Sequence, residues 1–156
     1  MNKKISAGLL MYRWKGNRME VFLVHPGGPF FAKKDHGTWS IPKGELEEGE
    51  DFLDCAVREF QEEIGFQPQG KFIALGNIQQ KGGTVVHAWA FEGDFKNNWT
   101  LKSNTFEIEW PPRSGRIESF PEIDRAEFFP LPEAKLKINP AQVEFLIRLE
   151  KMLSRQ

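Results

Sequence analysis

The stretch Gly44–Phe66, GELEEGEDFLDCAVREFQEEIGF, decides how the rest of the chain is read. Leu53, Val57, Phe60 and Ile64 recur at i, i+4, i+7 and i+11, which predicts an amphipathic helix from about Asp51 to Ile64. Gly65 then supplies the left-handed residue that commonly ends a helix. On the face opposite the apolar stripe, Glu59, Glu62 and Glu63 stand at i, i+3 and i+4, a spacing at which carboxylates can converge.

Such a helix is electrostatically unfavourable by itself. Glu59 and Glu63 form a like-charge i,i+4 pair, and all three acids lie in the last turns, where the helix dipole is negative; each such effect costs about 0.3–1 kcal/mol. Arg58 offsets part of this by reaching Glu62 at i+4 or Asp54 at i−4, and the remainder calls for a cation. A solvated acidic face would explain the acids alone, but not their surroundings. Gly44, Glu50, Arg58, Glu59, Phe60, Glu62, Glu63, Gly65 and Phe66 follow the pattern G-x5-E-x7-R-E-U-x-E-E-x-G-U, with U apolar. At typical residue usage, chance agreement in one register is on the order of 10⁻⁸.

This pattern resembles the Nudix box, complete and without a substitution. The resemblance implies a Nudix-type α/β/α sandwich, with a mixed β-sheet between helices, and a loop-helix-loop that holds Mg²⁺, with Mn²⁺ as a substitute, against the diphosphate of a nucleotide-like substrate. It implies Glu59, Glu62 and Glu63 as metal ligands, helped by the Gly44 carbonyl, with Arg58 orienting the acids and Glu50 bracing the loop. Hard oxygen ligands of this kind suit magnesium, which takes its remaining ligands from water and substrate phosphates.

At 156 residues the chain has the length of one domain, expected to cover residues 1–156. A net charge of −1 leaves no global basic field for nucleic acid. The single cysteine, Cys55, excludes an intramolecular disulfide and a cysteine-based zinc site, and favours a reducing, cytoplasmic setting; its place on the helix favours packing over reactivity. The N-terminal run MNKKISAGLLMYRWKGN has too short an apolar stretch for a signal peptide, and nothing approaches the ~18 apolar residues of a membrane span. A soluble, untargeted protein is expected.

Outside the box, Ile5–Trp14 and Met19–His25 read as a hairpin about a Gly-Asn turn. Alternation of Phe22 and Val24 with Val21 and Leu23 makes both faces of the second strand apolar, as for a sheet covered on both sides. Residues 72–78 and 84–91 read as a second hairpin about Lys81-Gly82-Gly83. The latter strand is apolar enough to be central, and its His87 is expected to be structural. Residues 92–102 read as a loop, 105–110 as a half-exposed strand, and 111–116 as a break. Ala126, Phe128 and Leu131 resemble the short strand before a closing helix in this family. Asn139-Pro140 supplies an N-cap and proline at N1 for an amphipathic helix carrying Val143, Leu146, Ile147 and Leu153. Alternating hairpins with helices far apart give an α/β class.

For substrate, the loop Pro26–Gly37 sets Phe30, Phe31, Lys33, Lys34 and His36 before Trp39-Ser40-Ile41-Pro42-Lys43-Gly44. Aromatic and basic neighbours suit stacking on a base and holding phosphate, although Phe30 and Phe31 folded onto the core would account for them equally, and His36 is expected to have no such role. The run WSIPKG is similar to the lead-in of dinucleoside polyphosphate hydrolases and of RNA 5′-pyrophosphohydrolases; Lys43 suits phosphate as a point charge, and Trp39 suits either packing under the loop or stacking on a base. Arg113 and Arg116 are candidates for clamping phosphate. In several family members a downstream glutamate binds metal or acts as base, a place that Glu122 matches, with Glu118 as the fallback; Glu62 is the other candidate base. The expected activity is Mg²⁺-dependent cleavage of a phosphoanhydride in a nucleoside triphosphate or dinucleoside polyphosphate. An RNA 5′-pyrophosphohydrolase and a catalytically silent nucleotide-binding module are the alternatives, the latter weakened by the retention of every box acid.

Overall fold

The computed structural model describes residues 4–95 and 99–154. Its organisation follows from strands that bury both faces. Along β1 (Ile5–Lys15), Ala7, Leu9 and Met11 enter one apolar cluster and Leu10 and Tyr12 another; along β2 (Arg18–Pro26), Phe22 and Val24 enter the first, Val21 and Leu23 the second. A period of two thus sends neighbouring side chains to opposite faces of one sheet, and each face needs a cover. The first cluster is closed by α1 (Phe52–Ile64), through Cys55, Ala56, Phe60 and Ile64. The second is closed by α2 (Leu131–Lys137) and α3 (Val143–Leu153), through Leu131, Ala134, Phe145, Leu146 and Leu149. The result is the α/β/α sandwich implied by the sequence.

The other strands are β3 (Lys43–Glu45), β4 (Ile73–Gln79), β5 (Val85–Glu92), β6 (Thr105–Glu109), β7 (Ile117–Pro121) and β8 (Ile123–Pro130). The main sheet runs β4-β5-β1-β2-β8, with β3 joined to β1. β1 and β5 are parallel and the other pairs antiparallel, so the sheet is mixed and β5 is internal, as expected.

One irregularity in this sheet positions the site. β1 pairs with β2 only over Tyr12–Lys15, while its N-terminal half pairs with β3 over Ser6–Gly8. Residues 40–45 fill the resulting gap: Ser40 exchanges backbone hydrogen bonds with Val24 at 2.9 Å, and the Leu9 amide donates to the Pro42 carbonyl at 3.2 Å. The crossing is close enough to require Gly8, where a Cβ would stand 2.4 Å from the Pro42 carbonyl oxygen.

Several expectations need correction. α1 buries the line through Cys55, Ala56, Phe60 and Ile64, leaving Leu53 and Val57 only half-buried, so the inward face is rotated from the stripe read in the sequence. The break after residue 110 is the turn of a second small sheet, β6–β7, and β7 was not foreseen. α2 was also missed, and Asn139 caps a 3-10 turn, Pro140–Gln142, that leads into α3. Of the loop expected over 92–102, residues 96–98 lie outside the described residues, as does the basic start of the chain before Lys4. Within that loop, Phe95 and Trp99 stack at 4.2 Å, and Trp99 donates its indole N–H to the Ile64 carbonyl at the end of α1.

Candidate active site

α1 is built as the sequence requires. The Asp51 side chain accepts the Asp54 amide at 2.8 Å, capping the first turn, and Gly65, at φ 92°, ends the last. Arg58 gathers the acidic loop onto this helix. Its guanidinium donates to both carboxylate oxygens of Glu50 at 2.8 and 2.9 Å, to Glu59 Oε1 at 2.9 Å, and more distantly to Glu62 at 3.4 Å; Asp54 is not among its partners. Glu50 in turn accepts the Glu47 amide at 3.1 Å, so it braces the loop before the helix. The bidentate pair with Arg58 holds the Glu50 carboxyl down at about 2, while Glu50 and Glu59 raise the guanidinium further above its ordinary range.

Glu59 and Glu63 continue the inward line of Cys55, one turn apart each. Glu59 lies against β3 so closely that a Cβ on Gly44 would stand 2.0 Å from its Cδ. Glu63 is enclosed beside Glu59, with Lys43 and Glu122 also acting on it. Burial is the main reason its carboxyl is pushed up to about 8; the charges of Glu59 and Glu122 add to this and Lys43 opposes it. Burial also raises the Glu59 carboxyl, against the pull of Arg58, and lowers the Lys43 ammonium, against the pull of Glu63, Glu45 and Glu59.

Of these groups Lys43, Glu63 and Glu122 border a cleft of about 170 Å³. Pro26, Ser40, Ile41 and Ile123 also line it. Glu122 stands at the corner between β7 and β8, where its carbonyl accepts the Gly27 amide at 2.8 Å. Glu118 lies on β7 opposite Ile108 and does not line the cleft, so of the two downstream acids only Glu122 meets the helix acids.

The structure therefore brings together Gly44, Lys43, Glu59, Glu63 and Glu122, with Arg58 behind them. It does not bring Glu62 to the same point. Glu62 is about 100° round the helix from Glu63, is half exposed, and faces Arg58; among the described residues no three His, Cys, Asp or Glu side chains form a ready-made metal-binding group. Trp39 is also corrected as a base-stacking residue. It is 0% exposed, donates to Asp35 Oδ1 at 2.8 Å, and packs edge-on against Phe129 and His25, so it holds the loop from beneath. Lys33 and Phe31 lie on the preceding loop and Arg113 in the β6–β7 turn, none of them lining the cleft. His87 stacks on Phe52 at 4.0 Å, and Cys55 is buried with its thiol pushed up to about 11 by burial first and the Glu50 charge second, so both have the structural roles expected of them.

Three partnerships at this site, two of them buried, had no signal in the local sequence. His25, 0% exposed, has Nδ1 2.7 Å from Asp124 and Nε2 2.6 Å from the Lys34 carbonyl, which pins the loop to β2 and β8. Asp35 pairs with Lys137. Gln142, also 0% exposed, accepts the Ile41 amide at 3.0 Å.

The donor set fits a hard divalent cation. It consists of oxygens, the Glu63 carboxyl is raised by burial and by the neighbouring Glu59 charge beyond what Lys43 offsets, and the Cβ-free Gly44 lets Glu59 approach the β3 backbone. A cation would stabilise the ionised pair.

Comparison with known proteins agrees with the fold and the motif. The solved structure of a C. elegans Ap4A hydrolase binary complex superposes with a TM-score of 0.70 at 20% identity, covering 97% of this chain and 99% of that one. The NUDIX domain of Shewanella oneidensis NrtR, complexed with ADP ribose, does so with a TM-score of 0.69 at 12% identity, covering 98% and 90%. The m7GpppN-mRNA hydrolase of Saccharomyces cerevisiae is 31% identical over 78 residues, which is 47% of this chain and 8% of the yeast protein. No helix among the described residues is long and apolar enough to cross a membrane. The family profile described as NUDIX domain matches residues 2–149, and the chain belongs to the Nudix family.

Proposed function

We propose that this protein is a Mg²⁺-dependent pyrophosphohydrolase that cleaves a phosphoanhydride in a nucleotide, with a dinucleoside polyphosphate as first choice of substrate and a nucleoside triphosphate as second. The observation that carries the reading is the meeting of Glu63, Lys43 and Glu122 at one cleft, with Glu59 beside Glu63 against Gly44 and an Arg58–Glu50 pair that fixes the helix. Glu59, Glu63 and the Gly44 carbonyl would hold the metal, with Glu62 reaching it by a change of rotamer and Mn²⁺ as a substitute. When bound, the metal neutralises phosphate charge and activates water.

The chain's own groups do the rest. Lys43 places a point charge on phosphate oxygen at the cleft. Arg58 keeps Glu59 in its rotamer, and Glu50 keeps Arg58 in place. Glu122, which lines the cleft with Glu63, would take a proton from an attacking water, with Glu62 the other candidate base. The similarity to C. elegans Ap4A hydrolase supports the dinucleotide choice through the fold, and the WSIPKG lead-in supports it through the sequence.

A second reading, an RNA 5′-pyrophosphohydrolase, is favoured by the local identity with the yeast m7GpppN-mRNA hydrolase. A net charge of −1 argues against it. Incubation with Mg²⁺ and a panel of dinucleoside polyphosphates, nucleoside triphosphates, ADP-ribose and 5′-triphosphorylated RNA, with products identified by mass, tests both. Fastest turnover of a dinucleoside polyphosphate supports the first reading; fastest turnover of RNA, with a steep salt dependence of binding, replaces it with the second; no turnover of any diphosphate compound leaves a silent nucleotide-binding domain.

A further inference from the structure

Two arms rise from the edge of the cleft where Pro26 and Glu122 lie. One is the loop beginning at Gly27, the other the β6–β7 hairpin that ends at Pro121. They are fitted to one another through glycine: a Cβ on Gly27 would stand 2.0 Å from the Pro121 carbonyl oxygen, and one on Gly28 would stand 2.7 Å from Cζ of Phe106. Farther out the arms meet again through Phe30 and Trp110, whose rings pack edge to face at 5.4 Å.

This outer contact leaves much apolar surface in water. Phe30 is 60% exposed, Phe31 38% and Ile117 62%. Around them stand Lys33, Lys34, Arg113 and Arg116, all exposed and, among the described residues, in no ion pair. The Lys34 ammonium lies 5.7 Å from the centre of the Phe31 ring, and the Trp110 amide donates to the Arg116 carbonyl at 2.9 Å, which pairs the two backbones at the end of the hairpin. Exposed aromatic faces among unpaired cations are the surface on which a nucleobase stacks with its phosphates neutralised. The four-residue path from Pro26 to Phe30 spans at most about 14 Å, so a base at the far end of a phosphate chain seated in the cleft can reach this surface.

We propose that Phe30 and Trp110, with the cations beside them, form a stacking platform for the second nucleobase of a dinucleoside polyphosphate whose phosphate chain occupies the cleft. The proposal rests on the reading of the cleft as a pyrophosphohydrolase site and adds the part of the protein that selects a substrate with two bases. A polynucleotide fits this surface less well, because Glu107, Glu109 and Glu118 on the same hairpin repel a continuing phosphate backbone.

The test is calorimetric binding, by the full chain with Mg²⁺, of a methylene-bridged diadenosine tetraphosphate, a methylene-bridged ATP and a short 5′-triphosphorylated RNA. The parent is compared with Phe30→Ala, Trp110→Ala and Trp110→Phe. Both alanine variants are expected to raise Kd for the dinucleotide about fivefold or more relative to that for the mononucleotide, and Trp110→Phe to recover most of it. Equal weakening of dinucleotide and mononucleotide, no weakening of either, or a loss confined to RNA would overturn the proposal. Because the ligands are not cleaved, the platform is tested even if the parent proves inactive, an outcome that would refute the hydrolase reading separately. Phe30 is the more exposed of the two, so Phe30→Ala decides the matter should Trp110→Ala fold poorly.

Discussion

Gly44 and Glu59 occupy the same space to within a methyl group: a Cβ on the glycine would lie 2.0 Å from Cδ and 2.2 Å from Oε2 of the glutamate. Gly44 is needed here for close approach, since only a residue without a side chain lets a carboxylate from α1 lie against β3. Gly44→Ala is expected to displace Glu59 from Arg58 and reduce kcat/KM at least tenfold while the fold persists. Steady-state kinetics beside circular dichroism checks this; parental activity would mean that Glu59 can work from another position.

Glu63 is the acid with the most enclosed carboxyl, and its removal has two expected effects. Glu63→Gln should lower kcat by a factor of a hundred or more, a loss that added Mg²⁺ does not restore. In metal-free protein the sign on stability is the reverse. A carboxyl raised from 4.5 to about 8 in the folded state keeps a proton that the unfolded chain gives up, so it lowers stability progressively as pH rises from 4.5 to 8. Glu63→Gln should therefore flatten the decline of the urea midpoint across that window; an unchanged slope would show that Glu63 is not the group responsible.

Glu50 gives the opposite pH signature. Its carboxyl is held at about 2 by Arg58, so its contribution is complete above pH 4.5 and is lost as pH falls toward 2. Allowing for partial solvent screening, the pair is worth about 2 kcal/mol. Acid titration followed by denaturant unfolding should show Glu50→Gln less stable than the parent by that amount at pH 7, and the two converging near pH 2.

The elements that could be read in the sequence were those with a local period. α1, the β1–β2 and β4–β5 hairpins and the N-cap of Asn139 declare themselves within a dozen residues. β7 does not, because IESFP has no buried side chain and its partner is the only thing that makes it a strand. α2 follows β8 directly, begins with proline at its first turn and is seven residues long, too short to show a helical period. The site divides in the same way. The i,i+4 spacing of Glu59 and Glu63 sets both on one side of α1, but the rotamer of Glu62 is set by its attraction to Arg58, and the burial of Trp39 is set by Phe129 and His25, which are distant in sequence. Glu122 is suggested only by the family resemblance, since a single acid in a loop has no periodicity to mark it.

Gln142 is the clearest case of a residue that only the fold explains. It is 0% exposed at the start of α3, yet its carbonyl accepts the Ile41 amide at 3.0 Å, while its amide donates to Ser40 Oγ at 3.0 Å and to Gln80 Oε1 at 2.8 Å. One side chain thus ties the segment that crosses from β2 to β1 to both the β4–β5 turn and the helix behind it. Ile41 precedes Lys43 by two residues, so slack at its amide is transmitted to the floor of the cleft. Gln142→Met, nearly equal in volume, would leave that amide buried without a partner, at a cost of about 1–3 kcal/mol, and the melting temperature is expected to fall by about 5 °C. If the bond also positions Lys43, KM for the preferred substrate should rise at temperatures where the variant remains folded, and Gln142→Glu, which keeps an acceptor for Ile41, should recover KM more fully than it recovers melting temperature. A methionine variant with the parent's KM and a lowered melting temperature would confine Gln142 to stability.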